Sequence, residues 1–291
     1  MDVAELALYN SVLSGVSLDG TNFFYTNPLR VTDPMPVDLR WSRTRVPFVS
    51  SFCCPPNLVR TLAEIGGYAY GKSSNAVWVN LYGGSTLNTT IDGAPLKLTQ
   101  QTEYPWSGRV RITINECGSA PFSLKLRIPG WTKSASVRVN LGPVAGTSAP
   151  GTYFELSRTW KAGDVVDLDI PMPTQVVEAN PLVEETVGQV ALKRGPVVYC
   201  LESSDLPAGM RIMDMAVPAD AKFLARYDQR LLGGVVTLDG TLLAKPAENW
   251  SGQLYREVKP VEPKPVKARL VPYFVWGNRG KSEMSVWLQR Q

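Results

Sequence analysis

Two adjacent cysteines open the one stretch of this chain whose residue types and spacing could do chemistry: Ser51-Phe52-Cys53-Cys54-Pro55-Pro56-Asn57. Behind them Leu58, Leu62, Ile65 and Ala69 recur at helical spacing, which predicts a helix starting at the prolines. Proline is tolerated in a first turn because its missing N–H would have had no intrahelical partner there. Both thiols therefore fall at or just before a helix N-terminus. Unpaired N–H groups and the positive end of the helix dipole favour a thiolate at that place, and a thiolate is both a nucleophile and a metal ligand. The competing reading is that the two cysteines pack as small core hydrophobes, as free cysteines usually do. A disulfide between neighbours is not expected, because the ring it would close is strained.

The rest of the composition narrows what such a pair could work with. The chain contains no histidine, which removes the commonest general base and the commonest zinc ligand, so a metal here must be held by sulfur and carboxylate. Glu5 and Glu64 could each lend a carboxylate, but their spacing places neither. Cys117 and Cys200 lie in strand-like segments far apart, and four cysteines in 291 residues are not a disulfide framework, which favours a reducing compartment. The sequence shows no secretory signal and no run long enough to span a membrane. A cytoplasmic rather than secreted location is expected, with any N-terminal signal missing from this chain. The net charge of +4 comes from 30 basic and 26 acidic residues scattered without a basic run, so nucleic acid is not an expected partner, and neither is a membrane.

The elements that must position the cysteines change character along the chain. Residues 2–15 read as a helix, with Ala4, Leu6, Leu8, Val12 and Leu13 on a broad apolar face and a glycine stop. A helix apolar round so much of its circumference is normally packed among others, so this segment predicts the last part of a helical domain. Phe23, Phe24 and Tyr25 form a short strand-like run closed by Asn27-Pro28, and Asp33-Pro34-Met35-Pro36 is loop chemistry. From Ala76 onward short alternating runs (77–82, 110–114, 122–128, 165–170) are separated by turn residues, which predicts an antiparallel sandwich of jelly-roll type. A linker at 203–209 leads to a second β-region with strands at 235–243, 268–276 and 283–288, and residues 260–265 read as extended loop. The expected class is mainly β, with β-sandwich domains over 75–203 and 204–291 preceded by a short helical part over 1–74.

Several segments resemble glycoside hydrolase family 127, the zinc-dependent β-L-arabinofuranosidases. The likeness runs through Ala7-Leu8-Tyr9-Asn10-Ser11-Val12-Leu13-Ser14-Gly15, Phe23-Phe24-Tyr25-Thr26-Asn27-Pro28-Leu29 and Cys53-Cys54-Pro55-Pro56-Asn57. It continues in Arg127-Ile128-Pro129-Gly130-Trp131, Arg194-Gly195-Pro196-Val197-Val198-Tyr199 and Trp276-Gly277-Asn278-Arg279-Gly280. The resemblance implies an (α/α)6 barrel followed by β-sandwich domains, with residues 1–74 as the barrel's C-terminal remnant. It also implies retaining hydrolysis of terminal β-L-arabinofuranosyl groups of an arabinose-containing oligosaccharide or glycan. Carried over residue by residue, Cys53 is the implied nucleophile, and Cys53 and Cys54 are implied zinc ligands. The family's other zinc ligands, in a Glu-x-Cys motif, and its acid/base glutamate belong upstream of the segment resembling 1–15, and neither is in this chain.

The expected function is therefore the C-terminal part of such an enzyme, inactive alone, with self-association through the exposed helical remnant. One alternative is a non-catalytic β-sandwich module that binds carbohydrate or another subunit, with Trp78, Trp106, Trp131 and Trp250 as sugar-stacking platforms if they are exposed. Another is a chain that lends its two cysteines to a second polypeptide carrying the barrel.

Overall fold

Period-two burial drives the architecture. In the strand Arg109–Glu116, Val110, Ile112 and Ile114 are buried while Arg109 and Arg111 point to solvent, so a single face of the strand is apolar. The computed structural model of the chain describes residues 1–33, 40–146, 148–246, 252–258 and 260–291, and it is mainly β. The Pro34-Met35-Pro36 loop and Trp250 lie outside the described residues. The chain divides into two units, Met1–Leu8 with Pro56–Pro173 and Tyr9–Pro55 with Thr174–Gln291. No described helix is long and apolar enough to cross a membrane.

The first unit holds two sheets. The six-stranded sheet is ordered Ser85–Ile91, Ala94–Thr102, Arg109–Glu116, Val165–Asp169, Ser136–Val139, Gly142–Pro143. The four-stranded one is ordered Thr152–Arg158, Phe122–Ile128, Ala76–Val79, Tyr70–Lys72, with Ala76–Val79 parallel to Phe122–Ile128. Leu98, Ile112 and Ile114 from the first sheet, and Val77, Val79, Leu124 and Leu126 from the second, are all fully buried and form the core. Gly108 is required where the chain passes Ile170: a Cβ there would sit 1.8 Å from the Ile170 carbonyl oxygen.

The first helix, Asp2–Ala7, belongs to this unit, and its one buried residue is Glu5 rather than a leucine. The carboxylate accepts from the Arg127 guanidinium, from the Tyr104 hydroxyl at 2.6 Å and from the Trp131 indole N–H at 3.0 Å. Arg127 also pairs with Asp2 and donates to the Asn80 carbonyl at 2.6 Å. Two charges at 1 % and 3 % exposure are tolerable only because each is satisfied by the other and by further hydrogen bonds. Polar residues remain inside along the next segment, where Asn10 and Ser14 are buried, while Val3 is 82 % exposed. The regular α-helix is shorter than the 2–15 span expected, because Leu8–Val12 continues as a π-helical turn.

The second unit carries a ten-stranded sheet. Six of its strands pair in a ring: Val197–Glu202, Lys264–Pro272, Val235–Ala244, Met215–Val217, Leu288–Arg290 and Gln189–Arg194, which returns to Val197–Glu202. Where two facing sheets were expected, the pairing closes on itself, because Gln189–Arg194 and Lys264–Pro272 each bond neighbours on both edges. Closure also draws in strands that the sequence groups with the first β-region. Thr174–Val177, Gln189–Arg194 and Val197–Glu202 all belong to this sheet, and the division between units falls after Pro173. Lys264 and Pro265, read as loop, open a strand.

Two arginines tie the segment 9–55 and the C-terminal turns into this unit. Arg45 donates to the Ser14 carbonyl at 2.8 Å and to the Trp276 carbonyl, and its guanidinium lies 4.4 Å from the Phe24 ring centroid. Phe24 in turn stacks on Trp276 at 4.8 Å. Arg279 pairs with the fully buried Glu202 and with Asp205, and Glu202 also accepts from the Gly277 N–H at 2.9 Å.

Candidate active site

The helix beside the cysteines is Cys54–Ala69, with Pro55 and Pro56 in its first turn and Cys53 immediately before it. Leu58, Leu62, Ile65 and Ala69 form its less exposed stripe, yet none of its residues is fully buried. The start is reinforced from within, since Arg60 donates to the Asn57 side chain at 2.9 Å and the Thr61 hydroxyl to the Asn57 carbonyl at 2.9 Å.

Cys53 and Cys54 hold their sulfurs 3.4 Å apart, far beyond a disulfide bond, and both thiols are free. The Ser51 hydroxyl lies 3.3 Å from Cys53 Sγ and donates to Cys54 Sγ at 3.8 Å. Cys53 is exposed, and its pKa is lowered below that of an ordinary thiol, first by the hydrogen bond with Ser51 and then by that with Cys54, with help from the backbone N–H groups of Cys53 and Cys54. Tyr25 was not singled out in the sequence, yet its phenol hydrogen-bonds the Cys54 side chain. That bond first, and then the electrostatic influence of the neighbouring Cys54 side chain, push the tyrosine pKa up. The other two cysteines are shifted the opposite way: burial raises Cys117 and raises Cys200 well above the ordinary value. The segment thus sets apart one exposed sulfur that ionises early.

The two carboxylates considered from the sequence do not join it. Glu5 is buried and committed to Arg127, Tyr104 and Trp131. Glu64 is exposed and sits ten residues along the helix from Cys54, about 15 Å of rise. Among the described residues no three metal-ligating side chains cluster. The three described tryptophans of those considered as sugar platforms are not open ones. Trp78, Trp106 and Trp131 are half-buried, Lys125 covers the Trp78 ring at 5.1 Å, and the Trp131 N–H is held by Glu5.

Comparison with known proteins accounts for nearly the whole chain. Residues 1–67 match the family description "Beta-L-arabinofuranosidase, GH127 catalytic domain", residues 76–172 the GH127 middle domain, and residues 174–289 the glycoside hydrolase family 127 C-terminal domain. A curated relative from Bifidobacterium longum subsp. longum, a non-reducing end β-L-arabinofuranosidase, is 34% identical over 302 residues, covering 99% of this chain and 45% of its own length. A solved glycoside hydrolase superposes with a TM-score of 0.94 at 46% identity, covering 99% of this chain and 48% of its own. The crystal structure of a GH127 β-L-arabinofuranosidase from Geobacillus stearothermophilus T6 gives 0.91 at 41% identity, covering 100% and 46%. With all three domains of one family matched in order, the chain belongs to glycoside hydrolase family 127 and spans a little under half the length of these relatives.

Proposed function

We propose that this chain is the C-terminal part of a retaining β-L-arabinofuranosidase in which Cys53 is the nucleophile and Cys53 and Cys54 hold zinc. The observation that carries the reading is the sulfur pair itself. Two thiolates sharing a tetrahedral zinc stand about 3.8 Å apart, so 3.4 Å requires only a small adjustment. The pair provides two of the three or four ligands such an ion takes, and no third clusters with it among the described residues. Zinc, when bound, would hold both thiols deprotonated. Cys53 Sγ, exposed and already acidic, would attack the anomeric carbon from the face opposite the leaving oxygen, and water would then cleave the thioglycosyl bond, so that two inversions give retention. Ser51 and Tyr25 orient the sulfurs by their hydrogen bonds. Of the two carboxylates considered, Glu5 is committed to Arg127, Tyr104 and Trp131 and Glu64 lies ten residues along the helix from Cys54, so neither is assigned as the acid and the chain alone should be inactive.

Site-resolved alkylation tests the nucleophile. With iodoacetamide, Cys53 should react at a lower pH and faster than Cys117 or Cys200, and Ser51→Ala should move its midpoint upward, because the first cause of its acidity is gone. Equal rates at Cys53 and Cys117, or a profile indifferent to Ser51→Ala, would remove the reading.

The outward apolar residues support assigning residues 1–74 to a larger helical domain. Val3 is 82 %, Phe52 95 % and Tyr68 52 % exposed, in segments whose buried positions are largely polar or merely half-covered. In isolation these residues should drive self-association. Light scattering should show species above the monomer mass that grow with concentration; a clean monomer at high concentration would count against the assignment.

A further inference from the structure

Beside the sulfur pair the second unit contains a hollow of about 370 Å³ that the proposed chemistry does not use. Tyr25 forms part of its wall, and so does Ser50, whose neighbour Ser51 holds its hydroxyl 3.3 Å from Cys53 Sγ, so the hollow adjoins the segment that carries the sulfurs. The Trp41 ring packs on Tyr25, centroids 4.0 Å apart at 32°, and the Arg40 guanidinium stands 4.9 Å from the Trp41 centroid. Opposite chemistry comes from Phe48, which is 79 % exposed and lines the same hollow. Among the described lining residues Arg40 carries the single charge and no carboxylate is present, and no acid among the described residues pairs with Arg40. An arginine stacked on an indole has its fork of N–H donors held in a plane at little further entropic cost, which is the arrangement that binds a carboxylate edge-on.

We propose that this hollow is the subsite for the group attached to the arabinose, and that Arg40 selects a carboxylate-bearing one whose apolar face rests on Phe48 and Tyr25. The assignment rests on Cys53 being the attacking sulfur, since that fixes the arabinose at the cysteine end. The volume suits a single ring with a carboxylate and is small for a longer chain.

Binding to the full chain can be followed by isothermal titration and saturation-transfer NMR, using phenyl β-L-arabinofuranoside and its 4-carboxyphenyl analogue, with phenol and 4-hydroxybenzoate as the detached groups. The carboxylated arabinoside should bind about tenfold more tightly than the neutral one, as expected for one charge-assisted hydrogen-bonded contact. Arg40→Gln should erase that preference without weakening the neutral compound, and Phe48→Ala should weaken both alike; both positions are exposed, so the fold should survive, as a thermal melt will check. Equal affinity for the two arabinosides, or a preference that persists in Arg40→Gln, would overturn the proposal. Cys53→Ala separates the two readings: 4-hydroxybenzoate should still bind it through Arg40. If 4-hydroxybenzoate binds through Arg40 but the arabinoside gains nothing over it, the hollow is not a subsite of an arabinoside.

Discussion

Glu5→Gln should lower the stability of the first unit by about 3 kcal/mol, the loss typical of breaking a buried ion pair from one side. The glutamine keeps the shape but removes the charge that compensates Arg127 at 3 % exposure. It also presents an NH2 where one of two donors, the Tyr104 hydroxyl or the Trp131 indole, needs an acceptor. Asp2 remains as a partner for Arg127, but at 42 % side-chain exposure it is screened and replaces only part of the interaction. In a unit of this size the thermal midpoint should fall on the order of 10 °C. The double variant Glu5→Leu with Arg127→Met should be clearly more stable than Glu5→Gln, since it removes both charges together. A Glu5→Gln protein melting with the native chain would show that the first helix does not dock through this carboxylate.

That network also marks where the sequence stops being informative. The strands of the first unit were legible because alternation is local: Phe122–Ile128 falls where its pattern puts it, and Arg109–Glu116 and Val165–Asp169 lie within a residue or two of expectation. The helix start at Cys54 was legible for the same reason, from two prolines and four apolar residues. Arg127 and Glu5 are 122 residues apart, and nothing near either names the other, so Glu5 read as a possible ligand and its helix as one without a partner. The ring in the second unit was hidden likewise. The strand patterns at 189–194 and 288–290 each look ordinary, and only their pairing across a hundred residues closes the sheet. In the candidate site the cysteines announced themselves by type and spacing. Tyr25 did not, because a tyrosine in a short aromatic run before Asn27-Pro28 reads as packing until the fold brings its hydroxyl to Cys54.

The second large effect concerns metal and catalysis together. The sulfurs of Cys53 and Cys54 are close enough to share one ion, but two thiolates leave half of a tetrahedral shell to weaker donors. Affinity should therefore be low, and Cys53→Ala or Cys54→Ala should each abolish whatever zinc is held, because one remaining thiolate offers no chelate. Neither substitution should affect folding, since Cys53 is exposed and Cys54 only half-buried. The decisive measurement is elemental analysis of the purified chain after a mild chelator, paired with an assay on an aryl β-L-arabinofuranoside. The predicted result is well under one zinc per chain and no release of arabinose. One tightly held zinc per chain that resists the chelator, together with measurable release of arabinose, would contradict the account and place the missing ligands and the acid among residues assigned here to the fold.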